Sequence, residues 1–232
     1  MATVITLSGG NFASNAIGFV PPVIAGLQAW SFFGNAAGDN VNLASGGLAF
    51  SNIGTGPVYN PGYGRFTAAS ACLDTNIVDG PSLVPCTTVF VARSVAGAAG
   101  YPYGTLAGGP NRGFDLWLNA TTLHHFGVGP SQIDMPVNGN VWRLYAVNIA
   151  GLGVKSVNYD LTGGTSQVAV ANSTAYQPNT GGHLLIGSDN AATGSLTDLA
   201  FFAFYSGLLT QGQLNSLIPS IRSTLATRGI TV

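Results

Sequence analysis

The segment Phe114-Asp115-Leu116-Trp117-Leu118-Asn119 is the stretch of this chain best equipped to hold a ligand. Side chains on a strand point alternately to its two faces, so Phe114, Leu116 and Leu118 share one face and Asp115, Trp117 and Asn119 the other. An indole beside a carboxylate and an amide can stack on a sugar ring while binding its hydroxyls. Tyr101, Tyr103, Asn111 and Arg112 lie close in sequence and complete a candidate glycan site. The competing reading has Trp117 filling a second packing layer or a subunit contact.

Catalytic chemistry is poorly supplied. All eight acidic residues are aspartates and there is no glutamate. Glycoside hydrolysis by its commonest route needs two carboxylates at a set separation, one with a raised pKa. No two aspartates fall at i, i+2 or i, i+4 on a readable strand, so the chain is expected not to be an enzyme. An aspartate pair brought together by folding is the remaining hydrolytic route. The histidines are His124, His125 and His183, and no Gly-x-Ser-x-Gly elbow accompanies them. His124 and His125 are adjacent on an expected strand, so one ring should face the core and the other away, which makes them poor joint metal ligands. Calcium takes six to eight oxygens, and Asp39-Asn40 and Asp189-Asn190, both in Gly-rich stretches, are the candidate ligand pairs. The alternative for each pair is a turn in which the side chain bonds its own backbone.

The elements that must position these groups are short strands. The 232 residues include 33 Gly and 12 Pro spread along the chain, and hydrophobic residues make up 46%. A chain of this length buries roughly 70% of its unfolded surface and needs no metal or disulfide to hold a core. From Gly26 onward strand signals recur roughly every 8–15 residues, as in a sandwich or barrel. Expected strands are Gly26 to Phe32, Thr87 to Arg93, Val141 to Ile149 (the longest), His183 to Ile186 and Ser195 to Tyr205. Two hairpins are expected, Tyr103–Leu106 with Gly113–Asn119, and Lys155–Leu161 with Ser166–Ala171. One helix should begin at Thr210, where Thr210-Gln211-Gly212-Gln213 has the form of a capping box. Pro219 should kink or split it, Gly229 should end it, and 230–232 can run as a last strand. Residues 1–24 read as an N-terminal arm or edge segment and 25–232 as one domain.

Charge sets further bounds. Charged residues make up 6% and the net charge is −1, so the basic patch that nucleic acid requires is absent. A monomer's surface normally carries about 25–35% charged residues, so self-association is expected, against the alternative of a monomer kept soluble by Asn, Ser, Thr and Gly. No apolar run is long enough to span a membrane, and the N-terminus lacks the pattern of a secretory signal. Without export, Cys72 and Cys86 should remain free, buried thiols.

Leu184-Leu185-Ile186-Gly187-Ser188-Asp189, then Gly194-Ser195-Leu196-Thr197-Asp198-Leu199 running on to Tyr205, then Leu208-Leu209-Thr210, follow one another in an order that resembles a known family. It is the laminin-G-like and pentraxin-like branch of the concanavalin A-like lectin/glucanase superfamily, and the resemblance covers roughly residues 25–230. It implies an all-β fold, a two-sheet antiparallel jelly-roll sandwich with one short C-terminal helix. Its glucanase members use paired glutamates, which this chain lacks, and many of its laminin-G-like members bind calcium. The ending from Ile221 to Ile230 resembles those of such domains in bacteriophage tail and appendage proteins. That implies a virion component of a tail, fibre or capsid decoration, self-associating (as a trimer, for instance), in contact with other virion proteins and with cell-surface glycan. The alternative is a free lectin-like carbohydrate-binding module.

Overall fold

A computed structural model describes residues 20–34, 41–67, 71–106, 112–127, 132–172, 174–189 and 196–232. The first nineteen residues of the expected arm lie outside these. The described chain forms an antiparallel two-sheet sandwich with one C-terminal helix, as expected. The strands are β1 (Leu27–Phe32), β2 (Ser51–Gly54), β3 (Val58–Asn60), β4 (Tyr63–Phe66), β5 (Ala71–Val78), β6 (Cys86–Ser94), β7 (Gly100–Gly104) and β8 (Phe114–Leu118). They continue with β9 (Thr122–Gly127), β10 (Ile133–Pro136), β11 (Arg143–Ile149), β12 (Lys155–Asp160), β13 (Thr165–Ala171), β14 (His183–Ile186) and β15 (Thr197–Ser206), followed by α1 (Gln211–Ala226). The eight-stranded sheet runs β13-β12-β11-β6-β15-β4-β3 with β1 also on β15, and the seven-stranded sheet runs β10-β9-β8-β7-β14-β5-β2.

The two sheets are buried differently, and their sequences show it. Phe90, Tyr145, Phe202 and Phe204 of the eight-stranded sheet meet Leu73, Tyr103, Phe114, Leu116 and Ile186 of the other to form the main core. On its other face the eight-stranded sheet carries Trp30, Val89, Val91, Leu144, Phe201 and Tyr205, packed under Leu214, Leu217, Ile221 and Leu225 of α1. Strands buried on both faces read as nearly continuous apolar runs, which accounts for β6, β11 and β15. Covering each helix leucine or isoleucine contributes about 1.5–3 kcal/mol. Among the described residues, no helix or third sheet lies on the outer face of the seven-stranded sheet, and β10 and the second half of β5 alternate accordingly.

Several expectations need correction. The longest strand is the ten-residue β15, not the Val141–Ile149 segment, of which only Arg143–Ile149 is strand. The capping box forms as expected: the Thr210 side chain accepts from Gln213 N, and Gln213 Oε1 accepts from Thr210 N. Pro219 does not split the helix, which runs from Gln211 to Ala226 through it. Pro219 and Asn215, whose carbonyl loses its usual donor, both lie on the exposed side of the helix, so that carbonyl is on the wet side. Residues 230–232 form no strand, and Ile230 instead packs on the helix-side core. Cys72 and Cys86 are buried and not joined in a disulfide, and burial pushes the Cys72 thiol up to about 11. No described helix is long and apolar enough to cross a membrane.

Candidate functional site

The outer face of the seven-stranded sheet gathers aromatic and ionisable groups along β8, β9 and β10. Phe114, Leu116 and Leu118 point into the core, so Asp115 and Trp117 point away from it. The register sets Phe126 opposite Asp115, His124 opposite Trp117, and Asp134 opposite His124. Cross-strand neighbours of this kind have side chains in contact. The Trp117 indole and the His124 ring stack with centroids 4.4 Å apart and planes 23° apart. His124 Nδ1 is hydrogen bonded to the exposed Asp134 carboxylate, which also accepts from Gln132 Nε2 at 3.3 Å. The half-buried indole is therefore held in one orientation by a ring that is itself held by a carboxylate. His125 faces the core as alternation requires. Burial there pushes its pKa down to about 4, and neither ring nitrogen has a hydrogen-bond partner among the described residues.

Beside the indole sits a carboxylate pair that spacing in sequence does not reveal. Gly104 is opposite Asp115 in register. A Cβ on Gly104 would stand 3.1 Å from the Cβ of Asp189 and 3.2 Å from that of Asp115. The missing side chain thus lets two carboxylates, 74 residues apart in sequence, approach across β7. Burial first, and then the Asp189 charge, push the Asp115 carboxyl up to about 7. Asp115 is 5% exposed and Asp189 2%, and Asp115 Oδ1 has no hydrogen-bond partner among the described residues.

The expected glycan site is assembled only in part. Trp117 and Asp115 share the outer face, but Tyr103 does not join them. It is fully buried, its ring packs on Phe90, Phe114 and Phe202, and its hydroxyl is hydrogen bonded to Thr88. The register shift between Gly100 and Tyr103 interrupts alternation along β7, so proximity in sequence misplaces this residue. Asn119 is spent on the β8–β9 turn, where its Oδ1 accepts from the backbone N–H of Thr121 at 2.9 Å and Thr122 at 2.8 Å. Tyr101 is half-buried on β7, Arg112 is exposed just before β8, and Asn111 lies outside the described residues.

Of the expected calcium ligands, Asp39, Asn40 and Asn190 lie outside the described residues. Asp189 is buried, and among the described residues no three His, Cys or Asp side chains gather as a metal cluster.

A second constellation escaped the sequence reading altogether. Asp198 of β15 is 0% exposed and bound by two arginines from flanking strands. Arg65 donates through Nε to Oδ1 at 2.7 Å and through Nη2 to Oδ2 at 3.0 Å, and Arg93 Nε donates to Oδ2 at 2.9 Å. Contacts that span more than a hundred residues have no local signature. The only available hint is that a chain with seven cations places two of them beside strand aromatics.

No protein-family model matches the chain, and no curated protein does. Solved structures are similar to it. A Trypanosoma rangeli sialidase matches with a TM-score of 0.55 at 11% identity, over 84% of this chain and 33% of that one. The binding domain of botulinum neurotoxin serotype D matches with a TM-score of 0.58 at 10% identity, over 84% and 51%. A receptor binding domain of botulinum neurotoxin D gives 0.57 at 10%, over 84% and 53%. What is shared is the fold. The chain spans about a third of the sialidase and half of the neurotoxin domains, and at these identities the likeness extends to the β-sandwich and no further.

Proposed function

We propose that this chain is a non-enzymatic glycan-binding module of a self-associating attachment assembly, a phage-type virion appendage, and that it holds saccharide on the outer face of the seven-stranded sheet around Trp117. One observation carries the reading: a half-buried indole on the outer face, locked against His124 and flanked by the Asp134 carboxylate and the Gln132 amide. A large amphipathic ring fixed before binding loses little entropy when a ligand stacks on it. The neurotoxin domains of the same fold are named for receptor binding, which is consistent with this use of the sandwich. The charge-poor composition supports self-association and the appendage role.

The Asp115–Asp189 pair favours a second reading, an aspartate-based hydrolase, because one carboxyl has a raised pKa beside another. Accessibility weighs against it. A general acid must reach within hydrogen-bond distance of its substrate, and Asp115 is 5% exposed. The test is a glycan array probed with the wild-type protein and with Trp117→Ala. Loss of the indole should weaken binding at least tenfold, about 1.4 kcal/mol. Glycan binding that is unchanged in Trp117→Ala overturns the site. A stable monomer in light scattering at high concentration would leave the free lectin-like module instead, and saccharide cleavage in a reducing-end assay would overturn the non-enzymatic assignment.

A further inference from the structure

The geometry points to a second binding site, independent of the Trp117 face: we propose that the cavity over Arg65 and Arg93 takes an oxyanion, a carboxylate or sulfate ester, borne on a saccharide. The cavity measures about 510 Å³ and lies at the rim of the eight-stranded sheet, with Asp198 at its floor and the turn after β6 and Asn140 along its wall. A volume of that size exceeds what a lone ion fills and matches the lower part of the range for small-molecule sites, roughly 300–1,000 Å³.

Charge is the first argument. Two guanidinium groups face one carboxylate, so the cluster is left with one excess positive charge. Asp198 is wholly buried beneath them, whereas the Arg65 and Arg93 side chains are 34% and 31% exposed. The negative charge is thus hidden and the positive charge faces the cavity. Arg65 alone already satisfies Asp198 through a two-point contact, the strong form of this pairing. The second guanidinium adds repulsion that an incoming anion would relieve.

Preorganisation is the second argument. The pairing with Asp198 uses Nε and Nη2 of both arginines, and neither Nη1 is bonded to the described residues. Behind them, Arg93 lies 4.6 Å from the Trp142 ring centre and 5.3 Å from that of Tyr63, and Arg65 lies 5.9 Å from Tyr63. Stacked guanidinium planes keep their forks aimed. The wall is equally fixed. Ser94 N donates to Gly139 O at 2.7 Å and Ser94 Oγ to Asn140 Oδ1 at 3.2 Å, which leaves the Asn140 amide nitrogen as a donor at the rim. In the turn that follows, Ala96 is held at φ +53° next to Gly97 at +75°, and both line the cavity. A non-glycine residue in the left-handed region is strained, and such strain clusters at ligand sites. A cluster that served only to neutralise Asp198 would need neither the second arginine nor the cavity.

Isothermal titration at low salt with three probes tests the site: hyaluronan hexasaccharide (carboxylates only), dextran sulfate (sulfates only) and dextran (neutral). At least one charged probe should bind and dextran should not, and the charged probe that binds identifies the group. Arg93→Lys keeps the charge and the Asp198 partner but loses the fork, so it should weaken binding at least tenfold. Asn140→Ala at the exposed rim should weaken it several-fold. Arg222→Gln, an exposed cation on α1 far along the chain, controls for diffuse attraction and should leave binding unchanged. Three results overturn the proposal: no binding of either charged probe, equal binding of dextran, or loss in Arg222→Gln as large as in Arg93→Lys.

Discussion

Replacing Asp115 with Asn should reshape the pH dependence of stability in a way that the wild-type profile alone conceals. In the folded protein the Asp115 carboxyl is pushed from 3.8 up to about 7, by burial and then by Asp189. Between those two values the folded state holds a proton that the unfolded state has released, so stability falls as pH rises through the window. Each unit of pKa difference corresponds to about 1.4 kcal/mol, and linkage across pH 5 to 8 gives a loss of roughly 2.5 kcal/mol from this group. His125 works in the opposite direction. Its folded pKa is pushed down from 6.5 to about 4, so stability is lost as pH falls through that interval and gained as it rises. The two contributions oppose one another between about pH 4 and 6.5, which flattens the wild-type curve. The informative quantity is therefore the difference between wild type and Asp115→Asn, measured by urea unfolding at pH 5 and at pH 8. Asn cannot ionise, so the variant should gain roughly 2.5 kcal/mol relative to wild type between those two pH values, whatever its absolute stability. Parallel profiles for the two proteins would refute the buried, charge-crowded environment assigned to Asp115.

Two further outcomes follow from the core. His125→Phe, which removes the buried imidazole, should abolish an acid-side loss of about 2.5 kcal/mol between pH 7 and 4.5, read by the same unfolding assay. An unaltered acid limb would place the wild-type transition elsewhere. Leu217→Ala on the buried stripe of α1 should cost about 2–5 kcal/mol, seen as a lower urea midpoint with an unchanged slope, and a loss below 1 kcal/mol would mean the helix does not seal the eight-stranded sheet.

Legibility in the sequence followed the range of the interactions involved. Phe114, Leu116 and Leu118 alternate with Asp115 and Trp117 because only one face of their strand meets the core between the sheets, so periodicity alone sorted the two faces there. The capping box at Thr210 closes within three residues and was equally plain. Strands β2, β3, β4 and β10 are only three or four residues long and are broken by Gly and Pro turns, so no period had room to develop. Tyr103 was misassigned because a register shift in β7 separates closeness in sequence from closeness on a face. The Asp115–Asp189 pair and the Arg65–Asp198–Arg93 cluster depend on strand order, which no local pattern encodes.

The placement of β15 has a consequence for how the molecule is made. It joins β6 on one side to β1 and β4 on the other, so until its ten residues leave the ribosome the larger layer consists of disconnected pieces, β13 to β6 in one group and β1 and the β3–β4 pair apart. Most of the polypeptide must wait, unclosed, for a segment beginning at residue 197. Long-range closure of this kind folds slowly and exposes sticky edges meanwhile. A nascent chain stalled before β15 should therefore be the species that chaperones capture.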